Sequence, residues 1–220
     1  PFWPSGVKFV LVALVCYLVA QLAGRWLARS WAAWPVGLVF AAHPLHVEAV
    51  ANLVGRAETL SAIFFVLALL AWHRWRLKIT WPRAVVISSL VLLAGLSKET
   101  GYLSGLVLVL AELAQRRCEH RRIIAAPWLI PLVTCIAIVA ATAIVQRTAV
   151  VKASVRENST VAPVVNPLVD ATIVERWVTP WKLTGRAFSL LVFPYNQSPE
   201  YSPQTLMPTS QLTDPLVLLG

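Results

Sequence analysis

Residues 43–72 read HPLHVEAVANLVGRAETLSAIFFVLALLAW, a polar, ionisable segment running without a break into an apolar one. The second half, from Thr59 to Trp72, has almost nothing to offer water, whereas the first half carries two histidines, two glutamates, an asparagine and an arginine. Such groups beside a long apolar run are costly in a bilayer unless they face protein or a cavity, so the segment predicts a membrane helix whose end is used for something.

The rest of the chain agrees. Mean hydropathy is +0.69. Only 13% of residues are charged, and ten are tryptophan. That composition excludes an ordinary soluble domain and predicts an all-α, polytopic transmembrane helical bundle. Further apolar runs lie at 9–24, 31–42, 84–97, 100–111 and 123–145. Several are shorter than the roughly 20 residues a lone spanning helix needs, so their helices are expected to continue into polar flanks that face protein. The first run has neither a basic leader nor a small-residue cleavage site and reads as a span, not a signal peptide. The chain as a whole reads as a fragment of a longer protein, opening at Pro1 and stopping within DPLVLLG.

The net charge of +9 does not indicate nucleic acid as a partner, because the basic residues gather in short segments between apolar runs. Arg25 and Arg29 occupy one, Arg74, Arg76, Lys78 and Arg83 a second, and Arg116, Arg117, Arg121 and Arg122 a third. These segments are assigned to the cytoplasm, with Trp26, Trp31, Trp72, Trp75 and Trp81 as interface anchors. It follows that HPLHVEAVANLVGRAE, the SKET tetrad at 97–100 and everything from about 146 onward face the other side. The expected organisation is a multi-pass region over 1–145, an extracytoplasmic loop region over 146–214, and the start of a further, truncated span at 215–220. Within the loop region a short helix is expected near 168–179, and a segment at 181–194 that is interfacial or re-entrant. Cys16, Cys118 and Cys135 have no metal-type or CxxC spacing and read as apolar fillers.

A helix started at Pro44 puts Glu48, Asn52, Arg56 and Thr59 on one stripe, at spacings of four, four and three. Either the stripe joins neighbouring helices through hydrogen bonds and an ion pair, or it lines a cavity at the membrane surface. Zinc at His43 and His46 is disfavoured: Pro44 interrupts the spacing, HExxH is absent and no third ligand is in view. His43, His46, Arg56 and Lys98 suit contact with a phosphate, since cationic donors stabilise a phosphate leaving group. Glu48 or Glu99 can accept a proton from an attacking hydroxyl. Lys98 and Glu99 can equally pair with each other to hold two spans together. The sequons at Asn158 and Asn196 carry no weight.

The run FAAHPLHVEAVANLVGRAETLSAIFFVLALLAW, then GLSKETG, then NPLVDA at 166–171 and FPYNQSPEYS resemble the transmembrane and tetratricopeptide-repeat-containing family. These are protein O-mannosyltransferase-like membrane proteins of the type C glycosyltransferase superfamily. The resemblance implies a type C helical fold with its site on the outer side, a polyprenyl-phosphate sugar donor, and transfer of mannose or a similar sugar to Ser or Thr hydroxyls of secreted acceptor proteins. It implies no firm cofactor and leaves a divalent metal open. It also implies a catalytic acid in the first outer loop, which would precede this chain, because Phe9–Gly24 is similar to the family's second span; a C-terminal repeat array would follow it. The site then comprises Glu48 toward the acceptor, and His43, His46, Asn52, Arg56, Lys98 and Glu99 toward the lipid phosphate and sugar. Two other readings stand beside it: a transporter or lipid-handling protein, and a non-catalytic membrane anchor for a repeat domain. Richness in tryptophan, alanine and arginine tilts the location toward a bacterial inner membrane, the motifs facing periplasm, over an endoplasmic-reticulum membrane with the motifs facing lumen.

Overall fold

The structure is a computed structural model that describes residues 3–44, 55–119, 137, 139–142, 144–149, 171–194, 209–211 and 214–219. Among these residues every regular element is helical. The chain forms two compact units, Pro1–His43 with Ala49–Lys152, and Pro44–Glu48 with Ala153–Gly220.

In the first unit the helices are α1 (Trp3–Trp26), α2 (Ala33–Ala42), α3 (Gly55–Trp75), α4 (Trp81–Ser97) and α5 (Leu103–Cys118), with single 3-10 turns at Ser30–Ala32 and Glu99–Tyr102. As expected, the helices outrun the apolar limits: α3 begins before Thr59 and ends after Trp72. The run expected at 100–111 is displaced, because Glu99–Tyr102 forms the 3-10 turn and α5 then continues through most of the expected loop at 112–122. Residues 144–149 are also helical, past the expected limit at 145.

α3 is the centre of this unit. Ile63, Val66 and Leu70, at spacings of three and four, pack against Val15 and Leu18 of α1. Leu69 and Trp72 turn the other way, into a cluster with Ile87 and Val91 of α4 and Leu108 of α5. α2 folds back on α1 at close range. A Cβ on Gly37 would lie 2.8 Å from the Ala20 Cβ, so a small residue is what allows the two backbones to approach. The turn between them is closed without glycine: Ala28 takes φ 51°, and Arg29 N–H reaches back to the Gly24 carbonyl at 3.1 Å.

Apolar side chains also cover the outside. Phe9, Trp34, Val39, Leu103 and Leu106 are all exposed. A water-facing surface seldom carries so many, whereas lipid accepts them. Among the described residues two helical stretches, Gly6–Trp26 and Gly55–Trp75, are long and apolar enough to cross a membrane. This composition and surface fit a membrane protein.

In the second unit, α6 (Ile173–Val192) and α7 (Pro215–Leu219) pack together. The short helix and the following segment expected on either side of Pro180 are one continuous helix, with Pro180 inside it. Its start is set by a capping box. Thr172 Oγ1 accepts from Glu175 N–H at 3.3 Å, and the Glu175 carboxylate accepts from Thr172 N–H at 2.8 Å. That backbone N–H, and after it the Thr172 hydroxyl, hold the Glu175 carboxyl below the ordinary glutamate range. Lys182 Nζ and Asp214 Oδ2, 3.0 Å apart, tie α6 to the start of α7.

Candidate functional site

The segment AGLSKETGYLS, 94–104, makes a tight corner between α4 and α5. Lys98 leaves the helix in an extended conformation, φ −151° and ψ 139°, and its N–H still bonds to the Ala94 carbonyl at 3.1 Å. Gly101 N–H then returns to the Lys98 carbonyl at 2.8 Å. Gly101 is pressed so closely against the last turn of α4 that an added Cβ would overlap the Ala94 backbone and come within 2.6 Å of Ser61 Oγ. Ser61, from α3, donates to the Ala94 carbonyl at 3.0 Å, and Ser104 donates to the Gly101 carbonyl at 2.6 Å. One buried hydrogen bond, from Ser61, therefore ties the corner to α3, and a second, from Ser104, closes the corner on itself.

This corner sets Lys98 opposite Glu58, with which it forms an ion pair. The two side chains are 39% and 40% exposed, so the pair is neither sealed nor fully in water. It opens onto a cleft of about 290 Å³ lined by Glu58, Ser61, Phe65, Lys98, Thr100 and Ser104 among others. A cation, a carboxylate and hydroxyls beside an apolar wall form a lining suited to a charged, hydroxyl-bearing ligand with an apolar portion.

The expected site residues are only partly gathered here. Lys98 lies in the cleft, but its partner is Glu58 and not its chain neighbour; Glu99 is exposed at the start of the 3-10 turn. Arg56 lies in the first described turn of α3, half-buried, its Nε buried without a hydrogen-bond partner among the described residues. Thr59, which shares the predicted stripe, is buried and bonds back to the Gly55 carbonyl at 2.8 Å. His43 ends α2 with extended backbone, its N–H on the Phe40 carbonyl at 3.2 Å. His46, Glu48 and Asn52 lie outside the described residues. Among the described residues no three His, Cys, Asp or Glu side chains converge as a metal site would require. Glu58 falls off the predicted stripe of Glu48, Asn52, Arg56 and Thr59. Its position three residues before Ser61 on α3 was the available signal.

A second polar cluster sits at the far end of α3, about 20 Å away at 1.5 Å per residue. Glu112 of α5 accepts from Trp72 Nε1 at 2.9 Å and from Arg116 Nε at 2.6 Å, with Arg76 Nε at 3.7 Å. Arg76 also donates to Glu119 at 2.7 Å and lies over the Trp72 ring, 5.7 Å from its centroid. Glu112, Arg116 and Trp72 are buried. Trp72 is therefore an interior residue and not the interface anchor expected of it, and Arg76 belongs to this network as well as to a basic loop. The i,i+4 spacing of Glu112 and Arg116 was the signal that could have found it.

The chain is similar in sequence to known proteins. The chain is 39% identical over 100 residues to the protein O-mannosyl-transferase Tmtc1 of Drosophila melanogaster, covering 44% of this chain and 12% of that protein. It is 34% identical over 124 residues to a protein O-mannosyl-transferase of Caenorhabditis elegans, covering 52% and 17%. It is 46% identical over 67 residues to human protein O-mannosyl-transferase TMTC3, covering 29% and 7%. The chain thus matches a minor part of the length of these relatives. The resemblance to the transmembrane and tetratricopeptide-repeat-containing family is borne out by them. No family model matches the chain, and no solved structure matches it.

Proposed function

We propose that this chain is part of a membrane glycosyltransferase that moves a sugar, mannose in the first instance, from a polyprenyl phosphate to Ser or Thr hydroxyls of secreted proteins on the outer side of a multi-pass helical bundle. The observation that carries the reading is the half-exposed Glu58–Lys98 pair on a cleft lined by hydroxyls, in a chain similar to proteins named O-mannosyl-transferases. In the reaction the acceptor oxygen forms a bond to the anomeric carbon as the bond from that carbon to the phosphate oxygen breaks. The acceptor proton goes to a carboxylate, and the electron pair leaves on the polyprenyl phosphate. The resemblance puts that carboxylate in a loop preceding Phe9. Lys98 is then the cation that meets the leaving phosphate, and Glu58 the group that aims it. His43, His46, Asn52, Arg56 and Glu99 are proposed as further contacts to phosphate and sugar, and Glu48 as an acceptor contact. The relatives named above are animal proteins and lend no support to a bacterial inner membrane over an endoplasmic-reticulum one.

The test is sugar transfer by the full-length protein in membranes, with radiolabelled polyprenyl-phosphate mannose and a pool of secreted proteins. A charged hydrogen bond contributes about 1.5–3 kcal/mol, so Lys98→Ala should lower transfer roughly 10- to 150-fold, and Lys98→Arg should lose less. Unchanged transfer in Lys98→Ala would overturn the phosphate role. No label from any polyprenyl-phosphate sugar would leave the anchor reading in its place.

A further inference from the structure

We infer that α6 is an interfacial helix, lying in the plane of the membrane with its tryptophan face at the boundary between headgroups and acyl chains. The inference does not rest on the sugar-transfer reading. At 100° per residue, Ile173, Trp177, Trp181, Phe188, Leu191 and Val192 fall within an arc of about 100°. Glu175, Lys182 and Arg186 fall opposite, within about 40°. A helix at the surface of a soluble protein would bury the first arc. Here Trp177 is 73% exposed, Trp181 56%, Phe188 52% and Leu191 57%. The side that is buried instead bears Val178, Thr179, Gly185 and Leu190, next to the charged arc. Thr179 Oγ1 accepts from Thr209 N–H at 3.1 Å, and Lys182 pairs with Asp214. The helix thus turns its polar side to its own chain and its apolar side outward.

Three features select lipid as the occupant of that outward face. Among the described residues two helical stretches are long and apolar enough to cross a membrane, which makes a bilayer the apolar phase open to this chain. Two tryptophans and a phenylalanine dominate the face, the residue types that settle at the headgroup boundary. Arg176 stands at its edge, beside Trp177, Pro180, Trp181 and Thr184 on a shallow recess of about 430 Å³, where a cation complements a lipid phosphate. A spanning course is disfavoured by Lys182 and Arg186 near the middle of the helix, and α6 is not among the helices apolar enough to cross.

The experiment places single spin labels at 175, 177, 181 and 188 in the full-length protein, with its native cysteines, Cys16, Cys118 and Cys135 among them, replaced by serine, in phosphatidylcholine nanodiscs. Labels at 177, 181 and 188 should collide freely with oxygen and poorly with a water-soluble nickel chelate, all at a common depth of about 5–10 Å below the phosphates; the label at 175 should show the reverse. A depth difference near 16 Å between 177 and 188, the rise of eleven helical residues, would make α6 a span and overturn the proposal. Free access of nickel to 177 and 181 would overturn it in favour of water, and exclusion of both reagents in favour of a protein cover. On the unmodified protein, heavy hydroxyl-radical oxidation of Trp177 and Trp181 in nanodiscs would overturn it without any substitution.

Discussion

Glu112 offers the sharpest stability test. Its side chain is 3% exposed, and its two oxygens serve Trp72 and two arginines whose side chains are 10% and 5% exposed. Glu112→Ala takes a buried carboxylate from beside both guanidiniums, and removing one partner of a buried ion pair costs about 3–5 kcal/mol. At roughly 2–4 °C per kcal/mol for a unit of this size, the melting temperature should fall by about 6–20 °C. The readout is the temperature at which a thiol-reactive dye reaches Cys16, half-buried on α1, in the purified full-length protein with its other cysteines, among them the exposed Cys118, replaced by serine. The internal comparison is Glu58→Ala: that pair is about two-fifths exposed, so its loss should cost no more than ~1 kcal/mol. Replacing the whole set by Arg76→Met, Glu112→Leu and Arg116→Met should recover part of the loss, because no buried charge is stranded. Recovery stays incomplete, since the Trp72 indole N–H then lacks its acceptor, a penalty of about 1–3 kcal/mol. A Glu112→Ala protein that melts with Glu58→Ala would refute the reasoning.

Two other outcomes follow from the geometry. Gly101→Ala forces a methyl into the Ala94 backbone and should destabilise by about 1–3 kcal/mol, with a matching fall in dye-monitored melting temperature; an unchanged melt would mean that the corner relaxes freely. The Asp214 carboxyl is held below its ordinary value, first by the Leu216 N–H and then by Lys182. The α6–α7 contact is therefore fully supported above the ordinary aspartate pKa near 4 and is lost as pH falls through the lower value in the folded chain. Hydrogen exchange of the α7 amides should accelerate in that acid range, and Asp214→Asn should remove the pH step.

The runs under α1, α3 and α4 were legible because a bilayer asks for a length and a composition that tertiary contacts do not disguise: these helices lie over 9–24, 59–72 and 84–97, whereas most of the run at 123–145 lies outside the described residues. What the sequence concealed was partnership. Lys98 has an acid beside it in the chain, yet the 3-10 turn swings Glu99 outward and the extended Lys98 backbone delivers the amine to Glu58, forty residues away. Arg76 read as a loop charge because the positive-inside rule counts basic residues without asking what lies across the helix; the acid that buries it is on α5. The continuity of α6 through Pro180 was hidden for a different reason. Proline removes one N–H and disfavours a helix interior, but the capping box at Thr172 and the tie from Lys182 to Asp214 support both halves. The T-x-x-E at 172–175 did mark its beginning.

The two polar clusters on α3 differ in a way that bears on purpose. At the Trp72 end Glu112 is buried and both its oxygens have partners, so holding α3 to α5 accounts for its presence. The pair at the Glu58 end cannot be accounted for in the same way. At two-fifths exposure it adds about 0.2–1 kcal/mol at most, yet a serine from α3, a glycine that tolerates no side chain and a serine from α5 are all committed to shaping the corner that presents it. So much local order around an interaction worth so little to the fold is consistent with the corner being kept for what Lys98 meets in the cleft.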